Sequence, residues 1–509
     1  MIQNKANRVI FNTVVLYIKI IVTTLLSLIS VPLIMHALGE SDFGLYALLG
    51  GVVALLAFLK ASMTVSTQRF LSVALGENDM HKMNVIFNTS LVLHVLMGTI
   101  IALALEICIP WLFNGFLNIE GERITAAKII YQFLIITTII EIVSVPFSGV
   151  INAKEDMIVF SILGIAEAVL KLVLAFLLAY CTTDRLIIYG CGMMLIAIAS
   201  LLVNIIYVLH HYNDFSIRLI SGFDKPIFWN ILGFTSWNTV GALAVVGHNQ
   251  GIAVVMNLFG GTTINAAYGV ANQVNGAMGY FSNTFRKAIN PQLMQSQGMG
   301  DNQRLINLSY VASKFSVLVM AVFAMPLIFE MDYILHIWLG NPPAYTLEFA
   351  QLILIYSILN QYSAGLMSGI QATGRIMAYQ ITISIVMLLN IPLSYILLKL
   401  GFPPYYCIYG FIGIELISLF TRLLFAKYIV GIQIVDFIKH ILLPSIFCLC
   451  IASVVTIIPL VFMESSLYRL IMVTFLFLLL YLPLAWYLIL NQSERDMFVN
   501  LLHYHNHQT

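Results

Sequence analysis

Apolar residues gather into long runs separated by short polar breaks, and it is run length, not alternation, that dictates what the chain forms. Fourteen runs reach spanning length, near 9–35, 44–66, 85–112, 124–147, 158–181, 186–209, 227–258, 265–285, 306–329, 347–370, 376–398, 407–429, 440–462 and 470–490. At about 20 apolar residues per bilayer crossing, each predicts one membrane helix, the element that satisfies its own backbone where water is absent. An even number of crossings puts both termini on one side. No connection is long enough to fold alone; the longest are 210–226, 286–304 and 330–346. The first, HHYNDFSIRLISGFDKP, is the most polar break near the middle and divides the chain. The expected organisation is a six-helix lobe over 1–210, a cytoplasmic linker over 211–226, a second six-helix lobe over 227–430, and two additional helices with a cytoplasmic tail over 431–509. Short connections favour a compact bundle of antiparallel neighbours.

Composition narrows the class. The 509 residues are 60% apolar and only 9% charged, with mean hydropathy +0.95, whereas about a quarter of a soluble protein is charged. An ordinary cytosolic enzyme is excluded. With 24 basic and 23 acidic residues there is no overall bias, so nucleic acid is not an expected partner. Basic residues nevertheless divide unevenly between alternate loops: fifteen, including Arg8, Arg69, Lys82, Lys225, Arg286, Lys287 and Arg304, against five, Arg123, Lys128, Arg185, Lys399 and Arg469. The positive-inside rule then puts both termini in the cytoplasm. The first apolar run is long enough to span and no small-residue cleavage site follows it, so the N-terminus is expected to be retained. Six cysteines lie in or beside apolar runs with no metal-ligand spacing and read as small core residues.

The chain also compares with itself. LGESDFGLYAL from Leu38 and FGGTTINAAYGV from Phe259 align Gly39 with Gly261 and Tyr46 with Tyr268; SGVINAKEDM from Ser148 and SGIQATGRIM from Ser368 align at nearly the same offset. Turn chemistry alone explains such residues at any helix end, but not their matched helix numbers. Six helices per copy implies parallel repeats related by an axis along the membrane normal.

Ionisable residues within spans are costly, roughly 2.5–3.5 kcal/mol each on insertion scales, and face a bundle interior or a wet cavity. Glu167 and Lys171, four apart, can pair directly; Glu415 and Arg422, seven apart, can stabilise each other through a neighbour; Lys314 is shallow enough to snorkel. Lys19 and Lys60 lie deeper, each without an acidic residue within four positions. They read either as a pair of cations held for an anionic ligand, or as solvated or helix-paired lysines whose partner could be Glu141. Helix 7 carries His248, Asn249 and Gln250; helix 8 carries Asn272, Gln273 and Asn275 and runs out through Arg286 and Lys287. Such amides suit sugar hydroxyls because they donate and accept, and they equally suit helix–helix adhesion. His248 and Glu141 are the candidate titrating groups. No nucleotide-binding loop, metal cluster or nucleophile–base triad is discernible. The tail HYHNH, His503 to His507, reads as a metal-ligand set or, more simply, as a solvated terminus.

As a set, LGESDFGLYALLGG after helix 1, TQRFLSVALG after helix 2, WNTVG and NQG in helix 7, NPQ after helix 8, YILHIWLG after helix 9, QATGRIMAYQ after helix 10 and LKLGFPP after helix 11 resemble the Wzx-type polysaccharide repeat-unit flippases of the multidrug, oligosaccharidyl-lipid and polysaccharide exporter superfamily. The resemblance implies an all-α integral membrane protein of about fourteen helices, with two six-helix lobes related by a pseudo-two-fold along the membrane normal plus two C-terminal helices. It further implies an inner-membrane transporter, not an enzyme, that turns undecaprenyl-pyrophosphate-linked oligosaccharide from the cytoplasmic to the outer leaflet for O-antigen or capsule assembly. Alternating access, no bound cofactor, a proton or sodium gradient as driving force, and membrane lipids and other polysaccharide-assembly membrane proteins as partners would follow. On this expectation Lys19, Lys60, Arg286 and Lys287 accompany the pyrophosphate, while Asn249, Gln250, Asn272, Gln273 and Asn275 meet the glycan. Two other readings compete. An ion-coupled multidrug carrier of the same superfamily commonly relies on a carboxylate in helix 1, where this chain has Lys19 and no Asp or Glu. A membrane glycan polymerase usually needs a sizeable outer loop, and the longest here has about seventeen residues.

Overall fold

A computed structural model describes residues 2–492 and 494–496, with side-chain surroundings from Arg8 onward except at Ile10; the HYHNH tail lies outside the described residues. Within them the fold is all-helical, as the apolar runs require. The helices are α1 (Ile2–Leu38), α2 (Glu40–Ala54), α3 (Ala57–Gly76), α4 (Met80–Trp111), α5 (Ile124–Val143), α6 (Val145–Ala153), α7 (Met157–Leu178), α8 (Arg185–His211) and α9 (Lys225–Gly298). They continue with α10 (Asn302–Leu339), α11 (Thr346–Tyr362), α12 (Ala364–Thr373), α13 (Met377–Leu388), α14 (Asn390–Lys399), α15 (Tyr406–Ile429), α16 (Ile434–Phe437), α17 (Leu443–Phe462) and α18 (Leu467–Leu488).

Eleven helices among the described residues are long and apolar enough to cross a membrane, and twelve if the bent pair α2–α3 counts as one span. The expectation of fourteen differs for two local reasons. Helix α9 runs 74 residues, about 110 Å at 1.5 Å per residue, far more than one crossing needs. Its backbone leaves the helical region at Gly261 (φ 63°, ψ −163°), so it supplies both expected helices 7 and 8. The expected helix 10 is divided at Ser363 into α11 and α12, of 17 and 10 residues, each too short alone.

The self-comparison acquires a physical basis. Gly39 (φ 81°, ψ 165°) and Gly261 (φ 63°, ψ −163°) adopt the same conformation, which is essentially reserved for glycine. Likewise Ser144 breaks the expected helix 4 into α5 and α6 as Ser363 breaks helix 10, and each short second piece ends at a left-handed residue, Glu155 or Gly374.

The chain resolves into two compact units, one of Val14–Thr239 and one of Met1–Thr13 with Val240–Thr509. The first has two apolar cores: Leu49, Met63, Ile130, Tyr131 and Leu186 in one, Leu71, Phe87, Phe147, Val150 and Ile231 in the other. A strap closes the second core. Asn88 Oδ1 accepts from Arg218 N at 2.6 Å, Asn88 Nδ2 donates to Ser216 O at 2.9 Å, and Thr89 Oγ1 accepts from Asp224 N at 3.1 Å. The polar linker is thereby held along α4. Beside it, Tyr207 and Tyr212 donate to Asp156, the α7 cap, at 2.6 and 3.2 Å. Burial first and the Asp156 charge second push the Tyr212 phenol up, which keeps it a donor.

In the other unit, Met256, Tyr268, Met320, Phe349 and Phe411 build the main core. The α17–α18 pair joins α10 through Ala321, Cys448, Ala452, Phe477 and Tyr481. Two buried ion pairs fix this attachment. Arg469, in the first turn of α18, meets both Glu330 oxygens at 2.9 and 3.0 Å. Lys314 meets Glu494 at 3.2 Å. Lys314 therefore does not snorkel; its partner lies 180 residues away, beyond the reach of local spacing. Large apolar side chains such as Ile18, Ile21, Leu25 and Leu28 stay exposed along α1, a surface suited to lipid and not to water.

Replacing Glu330 with Ala leaves Arg469 buried without its carboxylate and is expected to cost about 3–5 kcal/mol. The melting midpoint of the detergent-purified protein checks this, and an unchanged midpoint would contradict it.

Candidate functional site

In the unit of Val14–Thr239, charge collects at helix breaks and mid-helix positions. Lys60 sits in the first turn of α3, just after the bend of 49° that separates it from α2. Glu141 lies three residues before the α5–α6 break. The two meet at 2.6 Å, with 41% and 49% of their side chains exposed. A mid-span pair this open must face water, because hydrocarbon would not tolerate either charge. Lys19 extends over Gly164 and rests 3.8 Å from the centre of the Phe160 ring. Glu167 acts on it electrostatically while pairing with Lys171 at 2.7 Å.

The expected picture of two unpaired lysines in one cavity is corrected accordingly. Lys60 is ion-paired, Lys19 has an aromatic ring and a nearby carboxylate, and the two are held by different partners. The helix-paired alternative, with Glu141 as partner, describes Lys60, although that partner lies 81 residues away in the chain. With Glu106, which accepts from Gln132 Nε2 at 3.2 Å, the span charges of this unit balance: Lys19, Lys60 and Lys171 stand against Glu106, Glu141 and Glu167.

The second unit holds a more deeply buried group. On α15, Arg422 Nη1 donates to Glu415 Oε1 at 2.6 Å and to Ser363 Oγ at 3.0 Å. Asn360 Nδ2 donates to the same Glu415 oxygen at 3.1 Å. Tyr356 and Tyr379 surround the pair, and Tyr379 hydrogen-bonds Arg422. The expected mediation through a neighbour is thus replaced by direct contact, since two helical turns bring positions 415 and 422 onto one face. Arg286, expected at a cytoplasmic mouth, is half-buried on α9. Its Nη2 donates to Asn283 at 2.6 Å, and Tyr379 and Arg422 are its electrostatic neighbours. Glu415 pairs with Arg422 while Arg286 acts on Arg422 as a second nearby guanidinium, and the buried Nε atoms of both arginines have no hydrogen-bond partner. Lys287 is exposed on the same helix.

The amide candidates separate. Asn275 Oδ1 accepts a short hydrogen bond from Ser357, Asn272 bonds Tyr268, and Asn249 bonds His248 Nδ1 at 3.1 Å. Of the three, the Asn275 bond joins α9 to α11, as the adhesive alternative expects, while the other two lie within α9. Gln250 and Gln273 are exposed. His248 packs 5.1 Å from Phe411, and its buried Nε2 has no hydrogen-bond partner. Sequence reasoning missed Tyr356, Asn360, Ser363 and Tyr379. The first three fall four and three residues apart, a polar stripe along an otherwise apolar run, and that spacing was the available signal. Among the described residues no group of three or more His, Cys, Asp and Glu could hold a metal ion.

Comparison with known proteins matches this architecture. The MatE family model covers residues 16–177. Among solved structures, a MATE protein in its bent conformation has a TM-score of 0.75 at 15% identity, covering 84% of this chain and 97% of its own. An outward-facing multidrug resistance MATE family transporter of the MOP superfamily gives 0.74 at 14%, covering 84% and 96%. A MOP superfamily transporter from Pyrococcus furiosus, described by a binding pocket of reversed polarity that suggests a different function, gives 0.71 at 14%, with the same coverage. No curated protein matches the sequence. The chain has the fold of the MATE transporters: a multi-pass, all-helical membrane protein.

Lys60→Ala is expected to change stability by less than about 1 kcal/mol, because its pair is half-exposed. Arg422→Ala, which strands a buried Glu415, should cost about 3–5 kcal/mol. Thermal unfolding of both variants in one detergent provides the comparison; equal losses would contradict the different burial of the two pairs.

Proposed function

We propose that this protein moves an undecaprenyl-pyrophosphate-linked oligosaccharide from the cytoplasmic to the outer leaflet of the inner membrane, by alternating access and for O-antigen or capsule assembly. The observation that carries the reading is the pair Arg286 and Arg422, two guanidiniums that act on each other electrostatically and whose buried Nε donors both have no hydrogen-bond partner. A guanidinium is the side chain best matched to phosphate oxygens, and a diphosphate brings the compensating charge that such a group lacks. Lys19 and Lys60 supply further cations. A glycan crossing hydrocarbon needs replacement for the water on its hydroxyls, which the exposed Gln250 and Gln273 offer; Lys287 attracts the headgroup. Cytoplasmic termini, coupling to a proton or sodium gradient through His248 or Glu141, and association with other polysaccharide-assembly membrane proteins complete the proposal.

The second reading is an ion-coupled multidrug exporter. It is favoured by the matched MatE segment and by the multidrug resistance transporter of the same fold. Against it stand the second guanidinium, Arg286, beside Arg422, which would repel the cationic drugs such carriers commonly export, and a helix 1 that offers Lys19 and no carboxylate. A reversed pocket polarity is also how the Pyrococcus furiosus relative in fold is described.

Arg286→Gln removes the second guanidinium without breaking the Glu415–Arg422 pair. In cells deleted for their own flippase, export of lipid-linked repeat units is expected to fall at least about tenfold, the equivalent of one phosphate contact, at unchanged membrane levels. Further loss is expected in Lys19→Ala with Lys60→Ala. Full export in the triple variant sinks the flippase reading, and resistance to cationic dyes conferred by the wild type would establish the second one.

A further inference from the structure

Two loops of the unit containing Val240–Thr509 carry a double proline followed by tyrosine: Pro342-Pro343-Ala344-Tyr345 before α11 and Pro403-Pro404-Tyr405-Tyr406 at the start of α15. Each follows an odd-numbered crossing of this unit, so both lie at one end, the end that the basic-residue asymmetry assigns to the outside. Their rings come together. Tyr345 lies 5.9 Å from Tyr405, Tyr405 lies 5.2 Å from Tyr406, and Tyr406 lies 5.2 Å from Phe402 and 5.6 Å from Tyr409.

The cluster is held rigidly. Prolines fix four backbone angles. Pro343 O accepts from Thr346 N at 3.2 Å and from Thr346 Oγ1 at 2.7 Å, while Pro403 O accepts from Tyr406 N at 3.0 Å. Tyr345 itself is left-handed (φ 67°, ψ 5°), a conformation that a bulky residue adopts only when its surroundings impose it. Yet the rings are not used up by packing: Tyr345 is 38% exposed, Phe402 43% and Tyr409 51%.

Tyrosines at a membrane interface are common, but as a belt of independent rings. A belt requires neither mutual contact nor a strained backbone. Rigid, clustered, exposed rings are what a preorganised binding surface requires. The polar surroundings narrow the ligand: phenol hydroxyls, exposed Asn341, and Glu348, which acts electrostatically on Tyr405. A pyranose has this same division, with an apolar face of axial C–H groups and an edge of hydroxyls.

We propose that Tyr345, Phe402, Tyr405 and Tyr406 form a stacking platform for a pyranose ring at the outer end of this unit, where it would receive the glycan after translocation. The proposal rests on the flippase reading for its biological role, though not for its chemistry.

The test uses the full-length protein in lipid nanodiscs with maltotriose and chitotriose as free probes, observed by saturation-transfer NMR. Saturation of sugar C–H signals is expected for the wild type. It should fall several-fold in Tyr345→Ala with Tyr405→Ala and persist in Tyr345→Phe with Tyr405→Phe, which keeps the rings. Absence of saturation from both sugars, or undiminished saturation in the alanine variant, overturns the platform. Nitroxide labels on Tyr345→Cys and Tyr405→Cys report depth: broadening by lipid-soluble oxygen and not by a water-soluble nickel chelate would place the rings in lipid and overturn it too. Because the probes carry no lipid, sugar binding without repeat-unit export leaves the platform standing and removes the flippase reading, whereas export without sugar binding does the reverse.

Discussion

A charge in a membrane-spanning helix has to be compensated or hydrated, and the placement of side chains in this protein follows from that requirement. Backbone groups meet the same demand by forming helices, so the described chain is helical almost throughout. What remains is the side-chain charge. Glu330–Arg469 and Lys314–Glu494 resolve it by closing buried pairs, and in doing so they attach α18 to α10. Both pairs act together with the apolar contact of Phe477 and Tyr481 against α10. The two additional helices thus belong to the packing of their unit and are not a loose appendage.

Charge that is not fully compensated marks the other class of position. Arg422 and Glu415 are as buried as the structural pairs, but Arg286 brings a second guanidinium within electrostatic range of Arg422. Lys60 and Glu141 are paired but open. Burial with imperfect compensation lowers stability without any packing return, which makes these groups better candidates for meeting a charged cargo than for holding the fold. The fold itself, shared with MATE transporters at 14–15% identity, is indifferent to the sign of that cargo. Sign is set by a handful of side chains.

The helices were legible in the sequence because a spanning run is a local property: each of the fourteen apolar runs has a helical counterpart. So were some of the breaks. Gly39 and Gly261 could be aligned by sequence, and they share a backbone conformation that glycine alone adopts readily. Partners were legible only in part. Glu141 could be offered as a partner for a deep lysine but not chosen by spacing, being 81 residues from Lys60, and Glu494, 180 residues from Lys314, was missed. Tyr356, Asn360 and Ser363 were overlooked although their helical spacing was visible, because single polar residues inside apolar runs more often serve helix adhesion, as Asn275 does with Ser357.

By itself, then, the sequence determined the medium and the elements: 60% apolar residues in runs of spanning length leave no alternative to membrane helices, and glycine between runs, at Gly39 and Gly261, marks two of their breaks. Only the tertiary structure decided which charges neutralise one another, which amides are already engaged, and which tyrosines from separate loops form one surface. Hydrophobicity sums along the chain and can be read along it, whereas electrostatic compensation acts across a few ångströms of space between residues that the chain may place anywhere.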